Sequence, residues 1–127
     1  MFIQGYYPKN MKKKLLIYLS VVMVFIAMSS FQLLKTSLKI TVIDELGNIV
    51  EGASVQLYPS EEDYRNEVNA VSEVSYTDKK GQVKFKELDA KVYYVNASKG
   101  DKNNIGAGVQ TDKLEEGKLN KVNIVIE

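Results

Sequence analysis

From residue 35 onward, hydrophobic and polar positions alternate with a period of two. Leu38, Ile40 and Val42 alternate with Lys39 and Thr41, which predicts a first strand. Asp44 to Asn48 reads as a turn, where Gly47 takes positive φ without steric cost and Asp44 accepts backbone N–H bonds. Ala53, Val55 and Leu57 then alternate with Ser54 and Gln56 as a second strand, which Pro59 ends. Val74 and Tyr76 share one face of a third strand. Asp78-Lys79-Lys80-Gly81 makes a hairpin turn with Gly81 left-handed, and Val83 and Phe85 continue inward to Leu88. Lys91 to Lys99 is rich in valine and tyrosine and predicts the strongest strand, with Tyr93, Val95 and Ala97 inward and Tyr94 and Asn96 outward. Gly100 to Asn104 reads as a polar loop and Ile105 to Thr111 as a weak strand with two glycines. Gly117 marks a turn, and Val122, Ile124 and Ile126 form a closing strand that must be paired, because an open apolar edge aggregates.

The period breaks between Ser60 and Val71. Ser60 followed three residues later by Asp63 resembles a capping box, with acids in the first turn and Arg65 beyond them. A helix of one or two turns, or an ordered loop, is expected there. Short strands with turn signals at regular spacing predict an all-β sandwich carrying this one short helical insertion.

The first third is different. Lys12-Lys13-Lys14 precedes an apolar run from Leu15 to Met28 and the small residues Ser29 and Ser30, the plan of a secretory signal. Cleavage after Ser29 places Ala27 and Ser29 where the peptidase needs small side chains. The alternative is an uncleaved anchor, since Leu15 to Leu34 is about long enough to span a bilayer, although Ser29, Ser30 and Gln32 interrupt it. Either reading exports the remainder, to the periplasm, the cell surface or the medium. Met11 lies directly before the lysines and is a candidate start, which makes residues 1–10 an upstream extension. The expected organisation is a leader over 1–30, a linker over 31–37 and one domain over 38–127.

Charge and composition then exclude chemistry. The full chain has net charge +1, but its first thirty residues hold Lys9, Lys12, Lys13 and Lys14 and no acid, so the remainder keeps 13 basic groups against 16 acidic ones, near −3. That balance argues against non-specific nucleic-acid binding, which needs a basic stripe to neutralise phosphates. Cysteine is absent, so the exported domain holds by its core alone, and the lipoprotein route is closed. Histidine is absent as well, which removes His-based acid–base work, Ser-His and Cys-His nucleophiles and every His- or Cys-ligated zinc site.

The turn-and-strand residues resemble the carboxypeptidase regulatory-like domain, a transthyretin-like (prealbumin-like), seven-stranded, Ig-like antiparallel sandwich found in small exported bacterial proteins. Asp44, Gly47, Gly52, Ala53 and Val55 match its first motif, and Thr77, Asp78, Gly81, Val83 and Phe85 its second. Tyr93 and Tyr94 fit the strand that follows, and the resemblance runs from Leu38 to Glu127. Ile49 stands where proline is common, and the Ser60–Val71 insertion is longer than a plain hairpin needs. The resemblance implies a module without catalysis or cofactor that packs beside, presents or stabilises something else. Hydroxyisourate hydrolysis, known on transthyretin-like folds, relies on histidines that this chain lacks.

Four sharper readings remain. Lys39 on the first strand and Asn120 or Asn123 on the last suggest an intramolecular isopeptide bond of the kind found in related adhesin modules, but Lys39 has outward parity and no inward carboxylate is in view. Asp44, Glu45, Glu61, Glu62, Asp63 and Asp78 offer hard oxygen ligands for calcium without the spacing of a calcium loop. Tyr58, Tyr64, Tyr94, Asn96, Asn103 and Asn104 compose a candidate aromatic-polar surface for a protein or glycan partner. A carboxylate-only glycosidase would need two acids across a cleft, and a sandwich of this size has little cleft. The expectation is an exported interaction or structural module at the cell envelope. A small carbohydrate- or calcium-binding module is its alternative.

Overall fold

The computed structural model describes Tyr18 and residues 35–127. The expected signal or anchor therefore lies outside the described residues. Among those described, no helix is long and apolar enough to cross a membrane. In chain order the elements are β1 (Thr36–Asp44), β2 (Ser54–Tyr58), α1 (Glu61–Asn66), β3 (Ser75–Tyr76), β4 (Gln82–Leu88), β5 (Tyr94–Lys99), β6 (Lys102–Asn103) and β7 (Leu119–Ile126). They form two sheets, of order β4-β1-β7 and β3-β2-β5-β6. Alternation explains the core: Leu38, Ile40 and Val42 of β1 meet Val55, Leu57, Val95 and Ala97 of the facing sheet, with Phe85, Tyr93, Ile124 and Ile126 around them.

The two sequence motifs turn out to be one junction. Asp44 Oδ1 accepts from the N–H groups of Leu46 at 3.0 Å and Asn48 at 2.9 Å. Asp78 Oδ1 repeats this with Lys80 at 2.9 Å and Gln82 at 3.0 Å. Gly47 and Gly81 follow their aspartates at the same offset with φ of 86° and 71°. The copies interlock: Val42 N–H donates to Gly81 O at 2.8 Å, and a Cβ on Gly81 would lie 3.0 Å from both Ile49 Cβ and Val42 O. Thr77 clasps the same corner, donating its hydroxyl to Val50 O at 2.6 Å and accepting from Ala53 N–H at 2.9 Å. Backbone donors at each turn hold both aspartate carboxyls below the usual carboxylate range.

Four expectations need correction. The sandwich is not wholly antiparallel, because β7 runs parallel to β1 over an unbroken register from Ser37↔Leu119 to Asp44↔Ile126. Period two carries no direction, and the chain between β1 and β7 runs through β2 to β6, which supplies the crossover a parallel pair needs. Secondly, β1 begins at Thr36, inside the segment read as linker. Thirdly, the third strand is only Ser75–Tyr76, so Val74 lies outside it; Ser75 opposes the inward Val55 and Tyr76 is turned to solvent at 68% exposure. Fourthly, 105–111 is reduced to a single antiparallel bridge, Gln110 to Tyr94, instead of a strand. Two glycines interrupt it, β6 forms earlier within the expected polar loop, and the segment is tied to β5 by Val95 N–H to Val109 O at 2.7 Å and Thr111 N–H to Tyr93 O at 2.9 Å.

Candidate functional site

Ser54, Gln56 and Tyr58 alternate with the inward residues of β2, so they must face outward, and β5 obeys the same rule. Registry then builds the outer face of the four-stranded sheet in rows. Tyr58 opposes Tyr94, Gln56 opposes Asn96 and Ser54 opposes Ser98. The last row extends to Tyr76 on one side and Asn103 on the other. Tyr94, Asn96 and Asn103 are thus brought onto one face, each half-buried.

The insertion covers part of this face. Ser60 caps α1 by accepting from Asp63 N–H at 3.1 Å, and Glu67 ends it in the left-handed region with φ of 52°. Glu61 pairs with Arg65 one turn on. The helix packs against β2 and β5 and sets Tyr64 edge-on to Tyr58, with ring centroids 5.9 Å apart at 79°. Ser72 fixes the return path, its hydroxyl accepting from Leu57 N–H at 3.0 Å and its carbonyl from Gln56 Nε2 at 3.1 Å. Tyr58 is therefore 3% exposed and donates to Gln56 Oε1 at 3.1 Å, so it belongs under the insertion rather than on the recognition surface. Burial, with Glu67 and Tyr58 nearby, raises the Tyr64 phenol above its ordinary value.

Asn104 leaves the candidate surface altogether. It points to the opposite side from Asn103, is fully buried, and accepts from Ala97 N–H at 3.0 Å. It donates to Val95 O at 2.9 Å and Gly108 O at 3.1 Å. A polar side chain here stands in for a neighbouring strand by satisfying backbone groups of β5. Thr111 acts similarly, accepting from Tyr93 N–H at 3.0 Å and donating to Asp112 O at 2.8 Å. Sequence reasoning missed both, and also the buried Leu114, whose polar neighbours hid it.

The other sharp readings find little footing. Lys39 and Asn120 have opposite parity in the β1–β7 register, and the Asn120 amide donates to Ser37 O at 3.1 Å, with Glu115 and Lys118 carbonyls also in reach. Asn123 shares the outer face with Lys39, and Asn123 is open to solvent. Among the described residues no group of three or more acids converges on a point that could hold a metal ion. Asp44 and Asp78 are engaged by their own turns, and Asp63 accepts from Asn69 at 3.2 Å. No buried side-chain polar atom among the described residues lacks a partner.

What these elements define is an all-β sandwich of two sheets with one short helix. Its fold is shared with the Streptococcal ancillary pilin at TM-score 0.55 and 20% identity, over 73% of this chain and 32% of that one. Weaker likenesses are to BcpA, the major pilin subunit of Bacillus cereus (TM-score 0.49, 18% identity, 73% and 30% of the two chains), and to the group B streptococcus pilus 2b backbone protein (0.49, 15%, 72% and 40%). This chain spans about a third of the length of the ancillary pilin. No family model matches the chain. No curated protein matches it either.

Proposed function

We propose that the chain is an exported, non-enzymatic β-sandwich serving as a structural or interaction module at the bacterial cell envelope, as single domains do within longer surface proteins. The observation that carries this is the fold shared with an ancillary pilin, in a chain whose turn aspartates, buried threonines and Asn104 are all engaged in structure. The absence of histidine and cysteine supports it by removing the commonest catalytic groups. The basic, apolar and small-residue order of the first thirty residues supports export. The finer reading within this proposal is a carboxypeptidase regulatory-like domain, supported by its two interlocked turn motifs. Its working surface is the outer face of the four-stranded sheet at Tyr94, Asn96 and Asn103, beside the rim of the Ser60–Val71 insertion, where outward strand positions and a surface loop leave side chains free for recognition.

Fractionating cells that express the full chain, and identifying by mass spectrometry what co-purifies from the envelope, tests this reading. A stoichiometric envelope protein is the expected result. Recovery of the chain in the cytoplasm, or as a monomer retaining a sugar or calcium, would overturn it.

A further inference from the structure

The outer face of the three-stranded sheet has a charge pattern that the fold does not need. Lys39 opposes Lys84 on β4 and Lys121 on β7, so three ammonium groups stand in one row across the sheet. Strands lie about 4.8 Å apart, and like charges directly opposite one another destabilise a sheet. Lys86 adds a fourth positive charge on β4, with the same parity. No acid occupies an outward position of β1 or β7, and on β4 the only acid is Glu87, at the bulge, where it pairs with Lys35 at 3.7 Å. None of these four lysines has an ion-pair partner among the described residues, and residues 1–34 contain no acid that could supply one. Asp78 lies near enough for Lys39 to help lower its pKa, and its turn already engages it. This positive row sits on a domain that is negative overall.

We infer that this lysine face docks a linear, base-free phosphate polymer laid across the strands. A row of charges suits a rod with repeating anions, whereas a small anion needs donors converging on one point. Lysine binds phosphate as a point charge, and the adjoining row of Gln82, Thr41 and Asn123 offers neutral donors to further oxygens. No outward position of β1, β4 or β7 carries an aromatic ring on which a base could stack, which disfavours single-stranded nucleic acid. The inference goes beyond the proposed function and uses the opposite sheet, so it stands or falls separately from the search for an envelope protein.

The test titrates full-length protein with long-chain inorganic polyphosphate at several salt concentrations, alongside single-stranded DNA and polyglutamate of equal charge. K39Q/K84Q/K121Q should weaken polyphosphate binding at least about tenfold and reduce the log–log salt slope by about two, the loss expected for three phosphate contacts. Its melting temperature should stay level or rise, since a repulsive row has been removed. R65Q/K99Q/K102Q, an equal charge change on the other sheet, should bind within about twofold of wild type. Four results overturn the inference: no binding by wild type at low salt, equal loss in both variants, tighter binding of DNA, or tighter binding of polyglutamate.

Discussion

Replacing Asn104 tests whether one buried amide substitutes for a missing strand. Its side chain satisfies the Ala97 N–H in a fully buried position, together with the Val95 and Gly108 carbonyls. Asn104→Ala leaves the Ala97 donor without a partner, at a cost of about 1–3 kcal/mol, with the freed carbonyls and the vacated volume adding to it. A total of about 2–4 kcal/mol follows, a large share of the ~5–15 kcal/mol typical of a whole domain. Asn104→Asp separates hydrogen bonding from volume. An ionised carboxylate still accepts from Ala97 but faces two carbonyl oxygens, so the folded state favours the neutral acid and raises its pKa. Stability is then fully present below the unfolded value of about 3.9 and falls as pH rises toward the folded value, by up to about 1.4 kcal/mol per pH unit. Urea unfolding followed by far-UV circular dichroism, with the variant compared to wild type at each pH, cancels the contributions of the other acids. A cost below about 1 kcal/mol for Asn104→Ala, or an Asn104→Asp difference that does not grow between pH 4 and 7, would refute the reasoning.

The remaining expectations concern the turns and the sheet faces. Asp44 and Asp78 have lowered pKa values, so their contribution is present above the unfolded value of 3.8 and is lost as pH falls through the lower folded values. D44N/D78N should therefore show a shallower fall in melting temperature between pH 5 and 2 than wild type, and equal slopes would count against the turn assignment. G81A should cost at least about 2 kcal/mol in urea unfolding, because it combines a φ of 71° with a 3.0 Å approach to Ile49 Cβ and Val42 O. G47A, with no atom within 4 Å of its added Cβ, should cost only about 1 kcal/mol of backbone strain. Intact mass of the purified chain should show no lost ammonia, because Asn120 faces away from Lys39 and Asn123, on the Lys39 face, is open to solvent.

Local rules carried most of the way to the fold. Leu38, Ile40, Val42, Val55, Leu57, Val95 and Ala97 are buried as their alternation requires, and Ser60 does cap a short helix. What was not legible depends on partners distant in sequence. Nothing local to Val122–Ile126 says that it lies alongside β1 in the same direction, since direction is decided by the path of the preceding loop. Tyr58 alternates outward in sequence, and only a helix folding back from the next segment buries it. Asn104 reads as one of several polar loop residues, because whether an amide is solvated or buried depends on where the carbonyls of β5 stand.

The same distinction shapes what the two outer faces can do. Inward residues and turn residues are consumed by the fold, so recognition falls to outward strand positions, where packing tolerates many side chains. On the four-stranded sheet those positions are partly roofed by α1, whose flanks carry Glu61, Glu62, Asp63 and Glu67 against Arg65 alone. On the three-stranded sheet they carry lysines, with Lys84, Lys86 and Lys121 exposed and Lys39 half-buried. A sandwich points its two outer faces in opposite directions, so the lysine row and the acidic insertion lie on opposite faces. An anionic surface attracts the lysine row and repels the acidic insertion, and both effects weaken once salt shortens the Debye length below about 8 Å. One small domain can in this way hold a polymer on one side and leave Tyr94, Asn96 and Asn103 free on the other.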